Sequence, residues 1–542
     1  MKIGLIGLNS QFVHSNLALY YLRENAPNFC QCTIKEYTVN DPILSVFYDI
    51  TAEHWDVLAL SVYIWNKETV AKLLPLLKAV CPETTIILGG PEPTYAPEDF
   101  PLADYIVYGA LENTWEDLLV CLSKKEKPNF PGVNGAPQFS QNWKFPYVEN
   151  DLKQLKNRLV YYETSRGCPY HCGFCLSSAE KSTGFLPMER VKKELLFFLA
   201  AKIPVVKLVD RTFNYPTARA KEIMKFLMEN CNGVTTFHLE LKGELIDEEM
   251  LKLFRDAPQN LFQVEIGIQT LNDDALKASK RKNHWEKTKA VYKTMGALPN
   301  LHTHFDLIAG LPYEDYASFK NSFNEAMSIF PSHMQLGFLK LLPGTKFQAE
   351  GDEHGYIAQE YPPYEVVENQ YISHGELGEL KKIDKFLDQY YNKEIYKNLF
   401  RFAMDYCPLP LFDLFHSLAV SEKEPVLALQ ELFPEKSTLW ETLGRFDTFL
   451  GGRKIQVTQG EEKAVREFLK DEERVKTLLP HYQDFPVREI YKRIRIGHFP
   501  FKLLVENGLL VGFESGISEI LFDYKSKGQK RINSNFTDFM LL

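Results

Sequence analysis

The sequence predicts an α/β protein built in three parts. Apolar strand-like segments alternate with amphipathic helix-like segments over residues 1–145, and the same alternation returns over residues 155–350. From residue 351 to residue 542 the apolar period becomes mainly helical. We therefore expect an N-terminal doubly wound, Rossmann-like domain, a central partial (β/α)6 barrel and a mostly helical C-terminal domain.

Four apolar runs predict the parallel strands of the first domain, with helical segments between them. Ligands of such sheets bind outside the carboxyl ends of the strands. The candidate ligand-binding residues at those ends are Ser61, Gly89, Gly90, Pro91 and Gly109. The glycines are also compatible with tight turns that bind nothing. The four runs are KIGLIGL (2–8), DVLALSVYI (56–64), TTIILGG (84–90) and DYIVYGA (104–110).

Six further strand-like runs, with helical segments between them, predict the barrel. A barrel of this kind carries its chemistry at the carboxyl ends of its strands. The first run leads directly into a loop with three cysteines, so that loop is expected at the chemical end. The runs are RLVYYETSRGC (158–168), VVKLVDRTFN (205–214), TTFHLELKGEL (235–245), LFQVEIGIQTLN (261–272), LHTHFDLIAGLPYED (301–315) and HMQLGFLKLLPGT (333–345).

The last third of the chain shows no catalytic motif. Residues 378–404 are expected to form one or two long helices, and residues 461–470 another. Residues 508–527, GLLVGFESGISEILFDYKSK, are expected to form a closing β-hairpin.

Composition excludes several classes of protein. The 542 residues carry a net charge of -9, so no strong attraction to nucleic acid is expected. The longest apolar runs, such as residues 57–65, are too short to span a membrane. Nine cysteines without a secretory signal argue against a disulfide framework, and we expect a reducing cytoplasm.

The segment SRGCPYHCGFC (165–175) raises the question of what three thiolates hold. Four thiolates would close a structural zinc or iron–sulfur site. Three thiolates on a four-iron cluster leave one iron open to a substrate or cofactor. Zinc with His171 as fourth ligand is one alternative, but His171 directly precedes Cys172, and adjacent residues rarely both reach one tetrahedral ion. Three buried structural cysteines are another, which the glycine and proline of the loop disfavour.

CPYHCGFC resembles the CxxxCxxC signature of the radical S-adenosylmethionine (radical SAM) superfamily. EIGIQTLN and DLIAGLPYED are similar to its fourth- and fifth-strand signatures, so the resemblance covers about residues 155–350. It implies an oxygen-sensitive [4Fe-4S] cluster on Cys168, Cys172 and Cys175. It also implies S-adenosylmethionine on the open iron, cleavage of that molecule to a 5′-deoxyadenosyl radical, and an electron donor such as flavodoxin or ferredoxin.

The same resemblance implies contacts for S-adenosylmethionine. Phe174, just before the third cysteine, would pack on the adenine. Glu240, Gly267 and Gln269 would line the cleft. Ordinary packing inside the barrel is the alternative for each of them.

The first domain resembles the cobalamin-binding domain that precedes many radical SAM enzymes. The matching stretches are DVLALSV, IILGGPEPTYAPEDF and ADYIVYGALENTW. Many relatives read Gly-Glu-Gly-Glu where this chain has GALE (109–112), in which Glu112 keeps one acid. No DxHxxG motif is present, so no histidine ligand to cobalt is evident. A domain that no longer binds cobalamin is the alternative.

Together these resemblances imply a cobalamin-dependent radical SAM enzyme, and they favour methyl transfer to an unactivated carbon. A radical SAM enzyme that catalyses a rearrangement, cyclisation or methylthiolation is the second hypothesis. A binding or sensor module without turnover is the third. No residue identifies a catalytic acid or base, a substrate or an oligomeric state.

Overall fold

The computed structural model describes residues 1–110, 114–129, 132–133, 144–179, 183–452, 456–483, 485–506, 509–524 and 538–541. The chain forms two compact units, Met1–Gly378 and Glu379–Leu542. The first unit contains two separate parallel sheets. None of the helices in the described residues is long and apolar enough to cross a membrane. The domain bounds 1–145, 155–350 and 351–542 stay predictions.

The first sheet has five parallel strands, in the order β2-β1-β3-β4-β5, within the described residues. The doubly wound fold is confirmed, because helices pack on both faces of this sheet. The strands are β1 (Lys2–Asn9), β2 (Gln31–Thr38), β3 (Val57–Ser61), β4 (Thr85–Gly89) and β5 (Tyr105–Val107). The helices are α1 (Leu17–Glu24), α2 (Ile43–Thr51), α3 (Lys67–Val80), α4 (Pro91–Tyr95) and α5 (Trp115–Ser123).

The expectation of four strands in this sheet was wrong, because β2 is a fifth. Its sequence, QCTIKEYT, is rich in polar residues, and every side chain in it is only partly buried or exposed. An edge strand pairs on one side only, so it does not need the continuous apolar run that marks the central strands. Apolar periodicity alone therefore missed it.

The second sheet has six parallel strands, in the order β13-β12-β11-β10-β9-β6, as expected for the partial barrel. Its strands are β6 (Val160–Tyr162), β9 (Val205–Leu208), β10 (Thr236–Leu241), β11 (Phe262–Gln269), β12 (His302–Ala309) and β13 (His333–Phe338). Between β6 and β9, β7 (Ser165–Arg166) and β8 (Gly184–Phe185) form a short antiparallel pair. The helices are α6 (Glu149–Gln154), α7 (Met188–Ala200), α8 (Thr217–Glu229), α9 (Glu248–Asp256), α10 (Asp273–Ala278), α11 (Trp285–Gly296) and α12 (Tyr316–Met327).

One edge of the second sheet is closed by the loop that follows β1. His14 forms a parallel bridge with Leu159, whose backbone N–H donates to the carbonyl of Val13 at 2.7 Å. His14 Nδ1 lies 2.6 Å from the hydroxyl of Tyr161 on β6. Arg158 then pairs with Glu36 on β2 at 2.8 Å. The unpaired edge of β6 is thereby covered by the first domain.

The segment that follows the other edge of the sheet also contacts the first domain. The hydroxyl of Tyr364 donates to Glu92 on α4 at 2.7 Å and accepts from the ammonium of Lys67 at the start of α3. Lys67 also pairs with Glu92 at 3.2 Å. Gly344 lies so close to Tyr95 on α4 that a Cβ there would be 2.3 Å from its ring.

A short segment after the barrel leads to the second unit, which is mostly helical, as expected. The intervening elements are α13 (Lys346–Ala349), β14 (Ile357–Ala358), β15 (Val366–Glu368) and α14 (His374–Phe386). The later helices are α15 (Lys397–Tyr406), α16 (Leu411–Val420), α17 (Pro425–Leu432), α18 (Ser437–Gly451), α19 (Gln459–Phe468), α20 (Glu472–Leu478) and α21 (Val487–Tyr491).

The prediction of a hairpin within residues 508–527 was wrong in the bounds of its strands. The chain instead pairs β16 (Ile494–Glu506) with a single long strand, β17 (Leu509–Asp523), and β17 also pairs with β18 (Asp538–Leu541). Phe449 on α18 packs against Phe499 and Phe522 of this sheet. The polar residues in IRIGHFPFKLLVE hid the first strand from a search for apolar runs.

A buried carboxyl group after β12 makes stability depend on pH. Glu314 is 1% exposed and accepts from the hydroxyls of Thr270 at 2.5 Å and Ser322 at 3.1 Å. Burial raises the pKa of Glu314 from 4.5 to about 8. The folded state therefore binds this proton more tightly than the unfolded chain does. The stabilisation that the proton gives is complete below pH 4.5 and is lost as the pH rises to about 8.

We predict that Glu314→Gln removes the loss of stability that accompanies the rise in pH. Between about pH 5 and about pH 8, the melting temperature of the wild-type chain should fall more steeply than that of the variant. Thermal unfolding followed by circular dichroism measures both slopes. Glu126→Gln, at an exposed position, is the control and should follow the wild type. Equal slopes for Glu314→Gln and the wild type would contradict the prediction.

Candidate functional site

The cysteine loop begins at a buried carboxylate. Asp210, just after β9, is 1% exposed and accepts from the backbone N–H of Thr164 at 2.9 Å. The hydroxyls of Thr164 and Ser165 donate to its other oxygen at 2.5 and 2.6 Å. Burial raises the pKa of Asp210 to about 6, against these hydrogen bonds. This carboxyl group fixes the chain three residues before Cys168.

The far side of the loop is held by backbone contacts at Gly173. Its N–H donates to the carbonyl of Ser279, and its carbonyl accepts from the N–H of Phe347, both at 3.1 Å. A Cβ on Gly173 would lie 2.9 Å from the Phe347 ring. Glycine is therefore required for the loop to pack this closely.

Two of the three thiols have polar neighbours. Arg281 places Nη1 3.5 Å from Sγ of Cys172 and donates through Nη2 to the carbonyl of Gly267 at 2.7 Å. Burial raises the pKa of the Cys172 thiol, and the Arg281 charge opposes that rise. Sγ of Cys168 lies 3.5 Å from the hydroxyl of Thr212. Sequence reasoning missed Arg281, because it lies 109 residues from Cys172.

The spacing of the possible ligands fits a cluster better than a single ion. The candidates in the loop are Cys168, His171, Cys172 and Cys175. Thiolates on one tetrahedral zinc stand about 3.8 Å apart, as bonds of about 2.3 Å require. Among the described residues, no three ligand atoms of these candidates lie within 4.8 Å of one another. A four-iron cluster binds each thiolate through a different iron and so accepts thiols that stand further apart.

The residues expected to line the S-adenosylmethionine cleft lie beside this loop. Gln269, at the end of β11, has a left-handed backbone (φ 71°), and its buried Oε1 has no hydrogen-bond partner among the described residues. A Cβ on Gly267 would lie 1.9 Å from the side-chain amide of Gln269, so the two residues pack closely in the present rotamer. Glu240 lies 3.4 Å from Lys207. Strain and an orphan oxygen at Gln269 fit a ligand site.

Phe174 lies against protein rather than in an open cleft. Its ring centroid is 6.5 Å from that of Phe347, and it packs on an apolar cluster that includes Ala275, Leu311 and Val366. Contact between Phe174 and adenine stays a prediction, as do the roles of Glu240, Gly267 and Gln269.

A ladder of polar side chains covers one face of the six-stranded sheet, and sequence reasoning missed most of it. In β11 and β12 every second residue is fully buried and, apart from Thr303, apolar. The residues between them are polar apart from Gly267 and Ile308, and all but Gln269 are partly buried. Buried parallel strands are usually apolar on both faces. The alternation of polar and apolar residues in FQVEIGIQ and HTHFDLIA was therefore a visible sign that one face of the sheet is polar. The ladder includes Tyr161, Lys207, His238, Glu240, Glu265, His304, Asp306 and His333.

The ladder is held by close charge pairs. Glu265 lies 2.9 Å from His238 and 3.2 Å from Lys207. Burial opposes ionisation of Glu265, but these neighbours and His304 hold its pKa well below its usual range. His304 lies 2.9 Å from Asp306, and its pKa is raised despite burial. Burial and the neighbouring His304 lower the pKa of His333 to about 3.

The five residues proposed for cobalamin lie at or just beyond the carboxyl ends of the first sheet. Ser61 ends β3, Gly89 ends β4, Gly90 and Pro91 begin α4, and Gly109 follows β5. A Cβ on Gly90 would lie 2.5 Å from a backbone oxygen, whereas one on Gly89 would meet nothing closer than 3.9 Å. Glu112 lies outside the described residues. Cobalamin contact by these residues stays a prediction.

An unsatisfied polar atom marks the same edge of the first sheet. The side-chain amide of Asn16 donates to the hydroxyl of Ser61 at 2.6 Å. Its oxygen, Oδ1, is buried and has no hydrogen-bond partner among the described residues. Such an atom is costly unless a ligand or water completes it, so it fits a binding site.

The carboxyl ends of the two sheets face one another. Tyr63, two residues beyond β3, has its pKa raised to about 12, by burial and then by the charge of Glu163 beyond β6; Arg211 beyond β9 opposes the rise. The guanidinium of Arg166, in the cysteine loop, lies 5.6 Å from the Tyr21 ring on α1. The cysteine loop and the edge with Ser61 and Gly89 therefore both belong to the first unit.

Comparison with protein families agrees with this arrangement. Residues 162–326 match the radical SAM superfamily, and residues 3–119 match the B12 binding domain. The chain thus matches a B12-binding domain followed by a radical SAM domain, as the sequence resemblance implied. Residues 352–446 match a family described as a protein of unknown function (DUF4080).

Two characterised methyltransferases are similar to part of the chain. The cobalamin-dependent radical SAM methyltransferase TokK of Streptomyces tokunonensis is 28% identical over 307 residues, 49% of this chain and 44% of that protein. The 2-(S-pantetheinyl)-carbapenam-3-carboxylate methyltransferase of Streptantibioticus cattleyicolor is 25% identical over 359 residues, 57% of this chain and 52% of that protein. The chain spans about half the length of these relatives.

Solved structures show the same fold. OxsB, a cobalamin-dependent S-adenosylmethionine radical enzyme solved with aqua-cobalamin and S-adenosylmethionine bound, has a TM-score of 0.58 at 16% identity, over 91% of this chain and 83% of that chain. TsrM from Kitasatospora setae, solved with cobalamin and a [4Fe-4S] cluster, has a TM-score of 0.56 at 16% identity, over 67% of this chain and 82% of that chain.

A radical SAM domain holds a [4Fe-4S] cluster and S-adenosylmethionine, and a B12-binding domain holds cobalamin. The donor set fits these groups. Three thiols share one fixed loop, and the orphan oxygens of Gln269 and Asn16 lie at the two sheet edges.

We predict that Cys172→Ala abolishes the cluster, because two thiolates cannot hold it. After anaerobic reconstitution, iron and sulfide content and the visible absorption of the cluster should fall to background. Cys231→Ala, at a partly exposed cysteine outside the loop, is the control and should keep the wild-type iron content. Wild-type iron in Cys172→Ala would contradict the assignment of the ligands.

Proposed function

We propose that the chain is a cobalamin-dependent radical SAM methyltransferase that transfers a methyl group to an unactivated carbon. The observation that carries this proposal is that one compact unit holds both the three-cysteine loop and the strand ends with Ser61 and Gly89, with Arg166 of the loop 5.6 Å from the Tyr21 ring of the first domain. It is supported by the methyltransferase relatives, which match about half of the chain.

The cofactors carry the bond-making chemistry, and the protein binds, orients and shields them. When bound, the cluster and S-adenosylmethionine supply a hydrogen-abstracting 5′-deoxyadenosyl radical, and cobalamin supplies the methyl carrier. Cys168, Cys172 and Cys175 would hold the cluster. Ser61, Gly89, Gly90, Pro91 and Gly109 would border cobalamin.

The polar ladder favours a substrate with hydrogen-bonding groups over a pure hydrocarbon. Ionised Glu265 and Lys207 already satisfy one another, so an apolar molecule would desolvate them without replacing their contacts with water.

The test is incubation of the anaerobically reconstituted, cobalamin-loaded chain with S-adenosylmethionine and a strong reductant. We expect both S-adenosylhomocysteine, which reports loss of the methyl group, and 5′-deoxyadenosine, which reports the radical. Mass spectrometry of both products measures this. Protein with the cluster but without cobalamin is the control and should form 5′-deoxyadenosine alone.

Each other outcome decides against the proposal. Formation of 5′-deoxyadenosine without S-adenosylhomocysteine in the cobalamin-loaded chain would favour a rearrangement or cyclisation. Absence of 5′-deoxyadenosine, with the cluster present and reduced, would exclude radical chemistry on S-adenosylmethionine.

A further inference from the structure

One segment after the barrel contacts both of the proposed cofactor sites. Residues 339–366, which we call the linking segment, directly follow β13 and lie within the first compact unit. One part of the segment packs on the cysteine loop, and another part packs on α4 of the first domain. The linking segment therefore joins the loop that carries the thiols to the helix that begins at Pro91.

The contact with the cysteine loop is made by Phe347. Its backbone N–H donates to the carbonyl of Gly173 at 3.1 Å, and a Cβ on that glycine would lie 2.9 Å from the Phe347 ring. The Phe347 side chain is fully buried and also packs on Phe174. Gly173 and Phe174 are the two residues between Cys172 and Cys175, so a shift of Phe347 would displace the chain between two of the thiols.

The contact with the first domain is made by the hydroxyl of Tyr364. It donates to Glu92, in the first turn of α4, at 2.7 Å and accepts from Lys67 at the start of α3. Both Glu92 and Tyr364 are buried. Burial raises the pKa of Tyr364 to about 12, with Lys67 opposing the rise and Glu92 adding to it, so the hydroxyl keeps the proton that it donates. Hydrogen bonds to ionised groups are the strong ones, and this one lies one residue beyond Pro91.

The backbone of the linking segment fixes this hydroxyl relative to the barrel. The carbonyl of Tyr364 accepts from the N–H of Leu341 at 2.9 Å, and the N–H of Val366 donates to the carbonyl of Leu339 at 2.8 Å. Tyr364 itself has a left-handed backbone (φ 58°), which a bulky residue adopts only where its surroundings impose it. Strain of this kind is typical of positions that hold a functional contact in place.

The path from α4 to the cysteine loop is short. Gly344 has a φ of 87°, and a Cβ there would lie 2.3 Å from the ring of Tyr95 on α4. Phe347, which contacts the loop, follows three positions later. Fixed packing between the two domains would use the same contacts, but it would not make the affinity for one cofactor depend on the other.

We propose that the linking segment couples the two cofactor sites, with Tyr364 as the positioning residue. The two states differ in whether the contact between Tyr364 and Glu92 is closed or open. Cobalamin at the start of α4 favours the closed state, and the segment then holds the cysteine loop through Phe347. S-adenosylmethionine, which binds at that loop, is therefore bound more tightly when cobalamin is present, and the reverse effect is equal by linkage. This inference rests on the proposed function, in which both cofactors are bound.

The test measures binding without turnover, in the anaerobically reconstituted chain with its cluster oxidised. The dissociation constant of radiolabelled S-adenosylmethionine is measured by equilibrium dialysis, with and without bound hydroxocobalamin. Because no reductant is present, S-adenosylmethionine is not consumed. In the wild type we expect cobalamin to lower this dissociation constant at least about fivefold.

Tyr364→Phe removes the hydroxyl and keeps the ring. Its dissociation constant for S-adenosylmethionine should lie close to that of the cobalamin-free wild type and should change less than about twofold when cobalamin is added. Glu92→Gln, which removes the charge of the acceptor, should give the same result from the other side of the contact. Tyr361→Phe is the matched control, because Tyr361 is 58% exposed and the variant loses the same group. It should keep the wild-type coupling.

Hydrogen exchange gives a second readout that does not depend on affinity. Cobalamin should slow the exchange of the peptide that contains Phe347 in the wild type and in Tyr361→Phe. In Tyr364→Phe, cobalamin should leave that exchange unchanged.

Two outcomes would overturn the coupling and leave the proposed function standing. One is a wild type that binds both cofactors with no change in affinity. The other is coupling that survives in both Tyr364→Phe and Glu92→Gln. Loss of S-adenosylmethionine binding in these variants even without cobalamin would also overturn it, because the contact would then only support the fold.

Two other outcomes bear on the proposed function. A wild type that holds its cluster and S-adenosylmethionine but no cobalamin would overturn the proposed function and the coupling with it. Coupled binding in a chain that forms no S-adenosylhomocysteine under reduction would support the coupling and overturn methyl transfer.

Discussion

The arrangement of the first unit depends on the contacts that join the first domain to one edge of the six-stranded sheet and to the segment that follows its other edge. At one edge, His14 and Leu159 form a parallel bridge, and beyond the other, Tyr364 binds Glu92 and Lys67. An open partial barrel would leave a strand edge unpaired and its charged lumen in bulk water. These contacts hold both parallel sheets in one compact unit.

The first unit also shows how buried charge is balanced. Asp210 is held by the amide and hydroxyls at the start of the cysteine loop, so that a costly buried carboxyl group defines where the thiols begin. In the lumen, Glu265 is satisfied by His238 and Lys207. Such networks are rigid when every member has a partner, and they favour one arrangement of the strands.

The sequence predicted the site through local signals and missed what depends on distant contacts. The cysteine spacing and the apolar central strands are local, so the loop and both parallel sheets could be predicted. The contact of Arg281 with Cys172 joins residues 109 apart and leaves no local signal. The edge strand β2 and the first strand of the β16–β17 pair are too polar for a search that follows apolar runs.

The central claim is that one folded unit holds both cofactors, and metal content tests it most directly. The chain is reconstituted anaerobically with iron and sulfide, loaded with hydroxocobalamin and desalted before cobalt and iron are measured. We predict about four irons and about one cobalt per chain in the wild type and in the control Gly375→Phe, where a Cβ meets nothing. Gly89→Phe should keep its iron and lose its cobalt. A wild type with iron but no cobalt, or full cobalt in Gly89→Phe, would contradict the account.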